Sequence, residues 1–120
     1  MKIQSYRDLI VWQKSISLVK KIYEISRNFP EEERFVLTPQ IRRSAISISS
    51  NIAEGYGRRS SKDYIRFLQI SIGSLYELST QIEIVSSLEY LSDNILVEIQ
   101  TDLIEIEKML NSLITKIRKY

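Results

Sequence analysis

Apolar residues recur along this chain every three or four positions, and nowhere in the two-residue alternation of a half-buried strand. Leu9, Trp12, Ile16, Val19 and Tyr23 form one helical stripe, and Val11, Leu18, Ile22, Ile25 and Phe29 form a second beside it. The pattern predicts a first helix from about Ser5 to Ser26 with two apolar faces, and so more than one packing partner. Asn28-Phe29-Pro30 ends it, because proline lacks a backbone donor and biases its predecessor away from helix. The acidic Glu31-Glu32-Glu33 predicts a short helical turn, where negative charge favours an N-terminus.

Thr38-Pro39 reads as the N-cap and first residue of a second helix. Its apolar face is Ile41, Ala45, Ile48 and Ile52, and a left-handed glycine at Gly55 or Gly57 is expected to close it. Ser60 or Ser61 caps a third helix, with Asp63 in its first turn. That helix should run to about Leu88, or about 40 Å, with Ile65, Leu68, Ile72, Leu75, Ile82 and Val85 on one face and Ser79 in register. Ser71, Gly73 and Ser74 form a small-residue window at its middle, which predicts close approach of another backbone. Ser92-Asp93-Asn94 opens the last helix, whose stripe Ile99, Leu103, Ile106, Leu110, Leu113 and Ile117 is the most regular in the chain. Long helices with short connections predict one all-α domain over residues 1–120, an antiparallel up-and-down four-helix bundle.

Composition then narrows the chemistry. The chain has no Cys and no His, which removes disulfides, thiolates, the commonest general base and the commonest transition-metal ligand. No nucleophile–base–orienter set is recognisable among the remaining Asp, Glu, Lys, Tyr and Ser residues, so a non-enzyme with no cofactor is expected. An N-terminal export signal and a run of about 18 apolar residues are both lacking, and a cytoplasmic location with no membrane contact is the expectation.

The net charge of +2 hides a strong asymmetry. Bases dominate residues 1–66, residues 67–107 carry acids and no base, and bases return after Glu107. Arg42, Arg43, Arg58, Arg59, Lys62 and Arg66 are the candidate phosphate contacts, because guanidiniums bind phosphate bidentately and a helix N-terminus beyond the Gly55–Lys62 turn favours an anion. The alternative is a solvated turn whose arginines pair with acids of a neighbouring subunit. Gly55-Tyr56-Gly57 fits neither dinucleotide nor P-loop spacing. Glu54 opposes the dipole of its own helix and calls for a cationic partner, with Arg58 in reach. Glu98, Asp102 and Glu105, with Glu77 or Glu83 opposite, imitate a carboxylate metal site, but the di-iron pattern needs histidine, and a solvated acidic face is expected. Trp12 belongs to an apolar stripe, which leaves Tyr56 and Tyr64 as the candidate base-stacking aromatics.

Several segments resemble one family: Asp8-Leu9-Ile10-Val11-Trp12-Gln13, Phe29-Pro30 with its following acid, Leu37-x-x-Gln40-Ile41-Arg42-Arg43-Ser44-Ala45, Ser47-Ile48-x-x-Asn51-Ile52-Ala53-Glu54-Gly55, Arg66-Phe67-Leu68 and Gly73-Ser74-x-x-Glu77-Leu78. In order and spacing they are similar to the bacterial 23S rRNA intervening-sequence proteins, over about residues 6–115. The resemblance implies an up-and-down bundle that assembles as a homopentamer. It also implies kinship with the accessory protein of diversity-generating retroelements, a more basic pentamer that binds nucleic acid and a reverse transcriptase. Together these readings predict a homo-oligomeric scaffold whose basic residues meet RNA or DNA. The competing expectation is a ring that binds only protein, its basic and acidic segments paired across subunits.

Overall fold

The computed structural model describes residues 2–119, and these contain helices and no strand. A 3₁₀ turn at Tyr6–Asp8 precedes α1 (Ile10–Ser26), and a second at Glu31–Glu33 precedes α2 (Leu37–Tyr56); α3 (Ser61–Ser87) and α4 (Asp93–Arg118) follow. Each helix packs antiparallel on the next and α1 closes against α4, giving a four-helix bundle of 47 × 26 × 20 Å.

The predicted first helix is two pieces. Asp8 accepts hydrogen bonds from the Gln4 and Ser5 amides at 2.8 and 3.2 Å, which caps the short turn. Leu9 is then extended (φ −73°, ψ 122°), and α1 starts afresh at Ile10. The two stripes have unequal roles. Val11, Leu18 and Ile22, with Ser15 and Ser26, face the core, whereas Leu9, Trp12, Ile16, Val19 and Tyr23 are only half-buried.

The second helix begins one residue before Thr38, with Val36 at the cap and no side-chain cap hydrogen bond, so Pro39 occupies the first turn rather than its first position. The helix ends where expected, at Tyr56 with Gly57 as the C-cap, but without the expected conformation. Gly57 is right-handed (φ −79°), and among the described residues the left-handed exception is Glu89 (φ 63°). Gly55 lies buried inside the helix for a steric reason. A Cβ there would fall 2.9 Å from Phe67 Cβ and 3.1 Å from Tyr64 Cδ1.

The largest helix–helix interface joins α2 to α3. Small polar residues let the two backbones approach: Ser71 Oγ donates to the Ile48 carbonyl at 2.9 Å, Ser47 and Ser74 share a 2.8 Å bond, and Ser44 donates to Glu77 at 2.6 Å. The close approach predicted at the middle of α3 therefore rests on Ser71 and Ser74, while Gly73 points into open space. The core itself is aliphatic: Ile41, Ile48 and Ile52 meet Leu68, Leu75, Leu78, Ile82, Ile99, Ile106 and Leu110, all essentially sealed from water. Each such side chain contributes about 1.5–3 kcal/mol by burial. On α3 the register partly shifts from the predicted face, with Ser71, Leu78 and Gln81 inside and Ile65, Ile72 and Ser79 half-buried. On α4 the stripe holds as far as Leu110 and then continues at Ile114, leaving Leu113 and Ile117 at the margin.

Candidate nucleic-acid interface

Antiparallel topology decides where the charges go. Residues far apart in sequence share an end of the bundle when one precedes and the other follows an even number of helices. One end therefore collects the start of the chain, the α2–α3 turn and the end of α4. Lys2, Arg7, Arg58, Arg59, Lys62, Arg66, Lys116, Arg118 and Lys119 are all exposed there, against Asp8, Glu54 and Asp63. The opposite end, made by the α1–α2 and α3–α4 connections, exposes Glu31, Glu32, Glu89 and Asp93 against Arg27 and Arg34.

The basic end is organised around Phe67. The Arg58 and Arg66 guanidinium carbons lie 4.4 and 4.8 Å from its ring centroid, within cation–π range. Gly55 makes this possible by letting the last turn of α2 rest on the Phe67 and Tyr64 stems. Ser60 starts α3 by accepting from the Asp63 amide at 3.1 Å. Arg66 approaches Asp63 at 3.8 Å, a long and exposed contact of little energetic weight. The Arg58 partner expected for Glu54 is instead engaged with Phe67, and both Glu54 and Arg58 are exposed without an ion pair among the described residues. Lys116 joins this end through a shallow concavity it lines with Ser61, Tyr64 and Leu113. Sequence reasoning missed Lys116, Arg118 and Lys119; the signal was the run of bases after Glu107, which only acquires a neighbour once the helix directions are known.

Tyr56 and Tyr64 are weaker stacking candidates than their position suggested. Their rings pack edge-to-face at 6.2 Å, and both are half-buried. Burial, with a smaller contribution from Tyr56, pushes the Tyr64 phenol up to about 12.

Arg42 and Arg43 stand elsewhere. Thirteen residues of helix separate Arg43 from Tyr56, or about 20 Å at 1.5 Å per residue. Arg42 donates from Nε to Ser26 Oγ at 2.8 Å and lies 4.5 Å over the Tyr23 ring. The six candidate residues thus fall into two groups, four at the basic end and two on the α1–α2 seam.

None of the six pairs with the acids of residues 67–107 inside the subunit. Those acids have other uses. Lys21 Nζ reaches Asp102 at 2.7 Å and Glu98 at 2.8 Å, and Lys14 pairs with Glu105, so the acidic face of α4 is the partner of α1. These hydrogen bonds raise the Lys21 pKa above its ordinary value, Asp102 first and Glu98 second, against a smaller desolvation effect. Glu83 accepts from Gln100 at 3.0 Å and Glu107 from Tyr76, while outside that segment Glu33 accepts from Tyr90 at 2.9 Å. Among the described residues no group of three His, Cys, Asp or Glu is placed to hold a metal ion. Nor is any of these helices long and apolar enough to cross a membrane.

Fold and surface define a four-helix bundle with chemically opposite ends. The chain belongs to the 23S rRNA-intervening sequence protein family, whose model matches residues 7–112. A crystal structure of a protein of unknown function from the S23 ribosomal protein family of Bacteroides thetaiotaomicron VPI-5482 is similar, with a TM-score of 0.81 and 31% identity, covering 88% of this chain and 98% of that one. No curated protein matches the chain.

Proposed function

We propose that this protein is a non-catalytic, self-associating scaffold that holds nucleic acid by its phosphates at the basic end of the bundle. The observation that carries this reading is the convergence of three separate basic segments on one end, exposed and nearly free of carboxylate partners. Arg58 and Arg66 each lie within cation–π range of the one Phe67 ring, so two like charges share its neighbourhood and a phosphate placed there offsets their repulsion. Binding of this kind is driven by release of condensed counterions and reads no bases. Self-association is supported by an apolar groove of about 810 Å³ between the start of α1 and the end of α4, lined by Ile3, Leu9, Ile10, Met109 and Leu113.

Titration of structured RNA and of duplex DNA at several salt concentrations tests the proposal. Affinity for duplex should fall on a log–log plot by about 0.9 per phosphate contacted, and the triple change Arg58→Ala, Arg59→Ala, Lys62→Ala should flatten that slope by about two to three units. Failure of the unaltered protein to bind either polymer at low salt would sink the reading.

A second reading is favoured by the opposite charges of the two ends: a protein-only ring in which exposed bases of one copy meet exposed acids of the next. It predicts that added salt dissociates the oligomer, as followed by light scattering, while no nucleic acid binds.

A further inference from the structure

Arg42 and Arg43, left apart from the basic end, belong to a pocket of their own. A concavity of about 350 Å³ opens between α1 and α2, with Arg34, Arg42 and Arg43 around it and Tyr23, Pro39 and Ile46 as its apolar wall. We propose that this pocket binds a phosphate monoester, the dianionic end of a small organic phosphate or of a nucleic-acid strand.

Arg42 is the fixed element. Its Nε–H is committed to Ser26 Oγ at 2.8 Å, and its flat face lies over Tyr23. Ser26 is itself buried, and its hydroxyl donates onward to the Tyr23 carbonyl at 3.2 Å. The guanidinium is thus held from behind, so the entropy of ordering a long side chain is already lost before a ligand arrives. Its terminal N–H groups meet no protein acceptor among the described residues. Arg43 is exposed and has no carboxylate in ion-pair range there, and Arg34 holds Glu31 at 3.2 Å through an exposed pair that an incoming anion can displace. The other acids near this end are placed differently: Glu33 accepts from Tyr90, and Glu24 and Glu32 lie exposed outside the lining.

Three guanidiniums around one concavity match a dianion better than the single charge of a backbone phosphodiester. The volume is near the lower limit for ligand pockets, about 300 Å³, which suits a terminal group on a small body and not a strand threading through. The apolar wall gives that body a surface to rest on. This site is independent of the basic end and does not rest on the scaffold reading.

Calorimetric titration tests it with inorganic phosphate, a nucleoside 5′-monophosphate and the parent nucleoside. Oligonucleotides ending in a 5′-phosphate or a 5′-hydroxyl separate a strand terminus from a free small phosphate. The monophosphate should bind and the nucleoside should not. Arg43→Ala, at an exposed position that leaves the core untouched, should weaken binding about tenfold, as should Arg42→Lys, which keeps the charge and loses the fork. Affinity should also fall between pH 7.5 and 5.5, because the monoester takes up its second proton near pH 6 and the protein has no histidine to titrate there. Equal binding of nucleoside and monophosphate, or unchanged affinity in Arg43→Ala, overturns the proposal. So does a result in which the phosphates are ignored while Arg43→Ala alters the oligomeric mass, which would make the pocket a contact between subunits.

Discussion

Gly55 and Glu89 show opposite relations between a residue and its backbone. Gly55 has ordinary helical geometry and is required by its neighbours, since Phe67 Cβ lies 2.9 Å from where a methyl would stand. That contact is with a side-chain stem close to the backbone, which has little freedom to move. Gly55→Ala should therefore destabilise the fold by about 1–2 kcal/mol in urea denaturation, the overpacking outweighing the better helix propensity of alanine. Glu89 has the left-handed geometry that glycine prefers. Its amide bonds Ser86 O at 2.9 Å and the Tyr90 amide bonds Val85 O at 3.0 Å, the paired bonds of a Schellman end. Glu89→Gly should accordingly raise stability by about 1 kcal/mol in the same assay. The left-handed cap expected at Gly55 or Gly57 thus occurs one helix later, on a residue whose side chain gives no hint of it. Tyr64 adds a pH dependence. Its folded pKa of about 12 exceeds the unfolded value near 10, so the native state holds the phenolic proton more tightly and stability falls as pH rises from about 10 to about 12. Tyr76, Tyr90 and Lys21 are also raised and act in the same direction. Tyr64→Phe should reduce, without abolishing, the alkaline drop in melting temperature.

Between elements, the seams of the bundle differ in kind. The α2–α3 seam is close and serine-lined, with hydroxyls satisfied across it. The α1–α4 seam is thinner and depends more on Lys14 and Lys21 reaching over to three carboxylates. Hydrogen exchange should find the slowest amides in α2 and α3, and Lys21→Ala should speed exchange in α1 while leaving α3 unchanged. The loss in global stability should be about 1 kcal/mol or less, since the pairs remain partly exposed. Helix identity and order were legible from the three-to-four spacing, which records burial directly. Two helix starts were legible as well, since Ser60 and Ser92 are the caps of α3 and α4; the other two were not, and Thr38-Pro39 has the composition of a cap although α2 begins at Leu37 with no side-chain cap. The choice between the two stripes of α1 was also hidden, because both are apolar and only packing against α2 and α4 selects Val11, Leu18 and Ile22.

For the molecule as a whole, the up-and-down path gathers the bases around the α2–α3 turn and the end of α4 at one end, and the acids of the other two connections at the opposite one. A sequence shows the segments; it does not show that Arg58 and Lys116 are neighbours, since that depends on α4 returning antiparallel along the full length of α3. This is why the candidate site was half legible: four of its residues adjoin one turn, while Lys116, Arg118 and Lys119 lie about fifty residues further on. Lys116→Ala with Lys119→Ala should flatten the salt dependence of duplex binding by about one to two units if both bases touch phosphate. The same path has a practical effect on how the protein is handled. Residues 2 and 119 both lie at the basic end, so an affinity tag or fluorophore attached beside either one sits over the surface being measured, and moving it from one to the other gives no relief. A label at the α3–α4 connection, around Ser92, leaves that surface open and reports from some 40 Å away, about the length of a 26-residue helix.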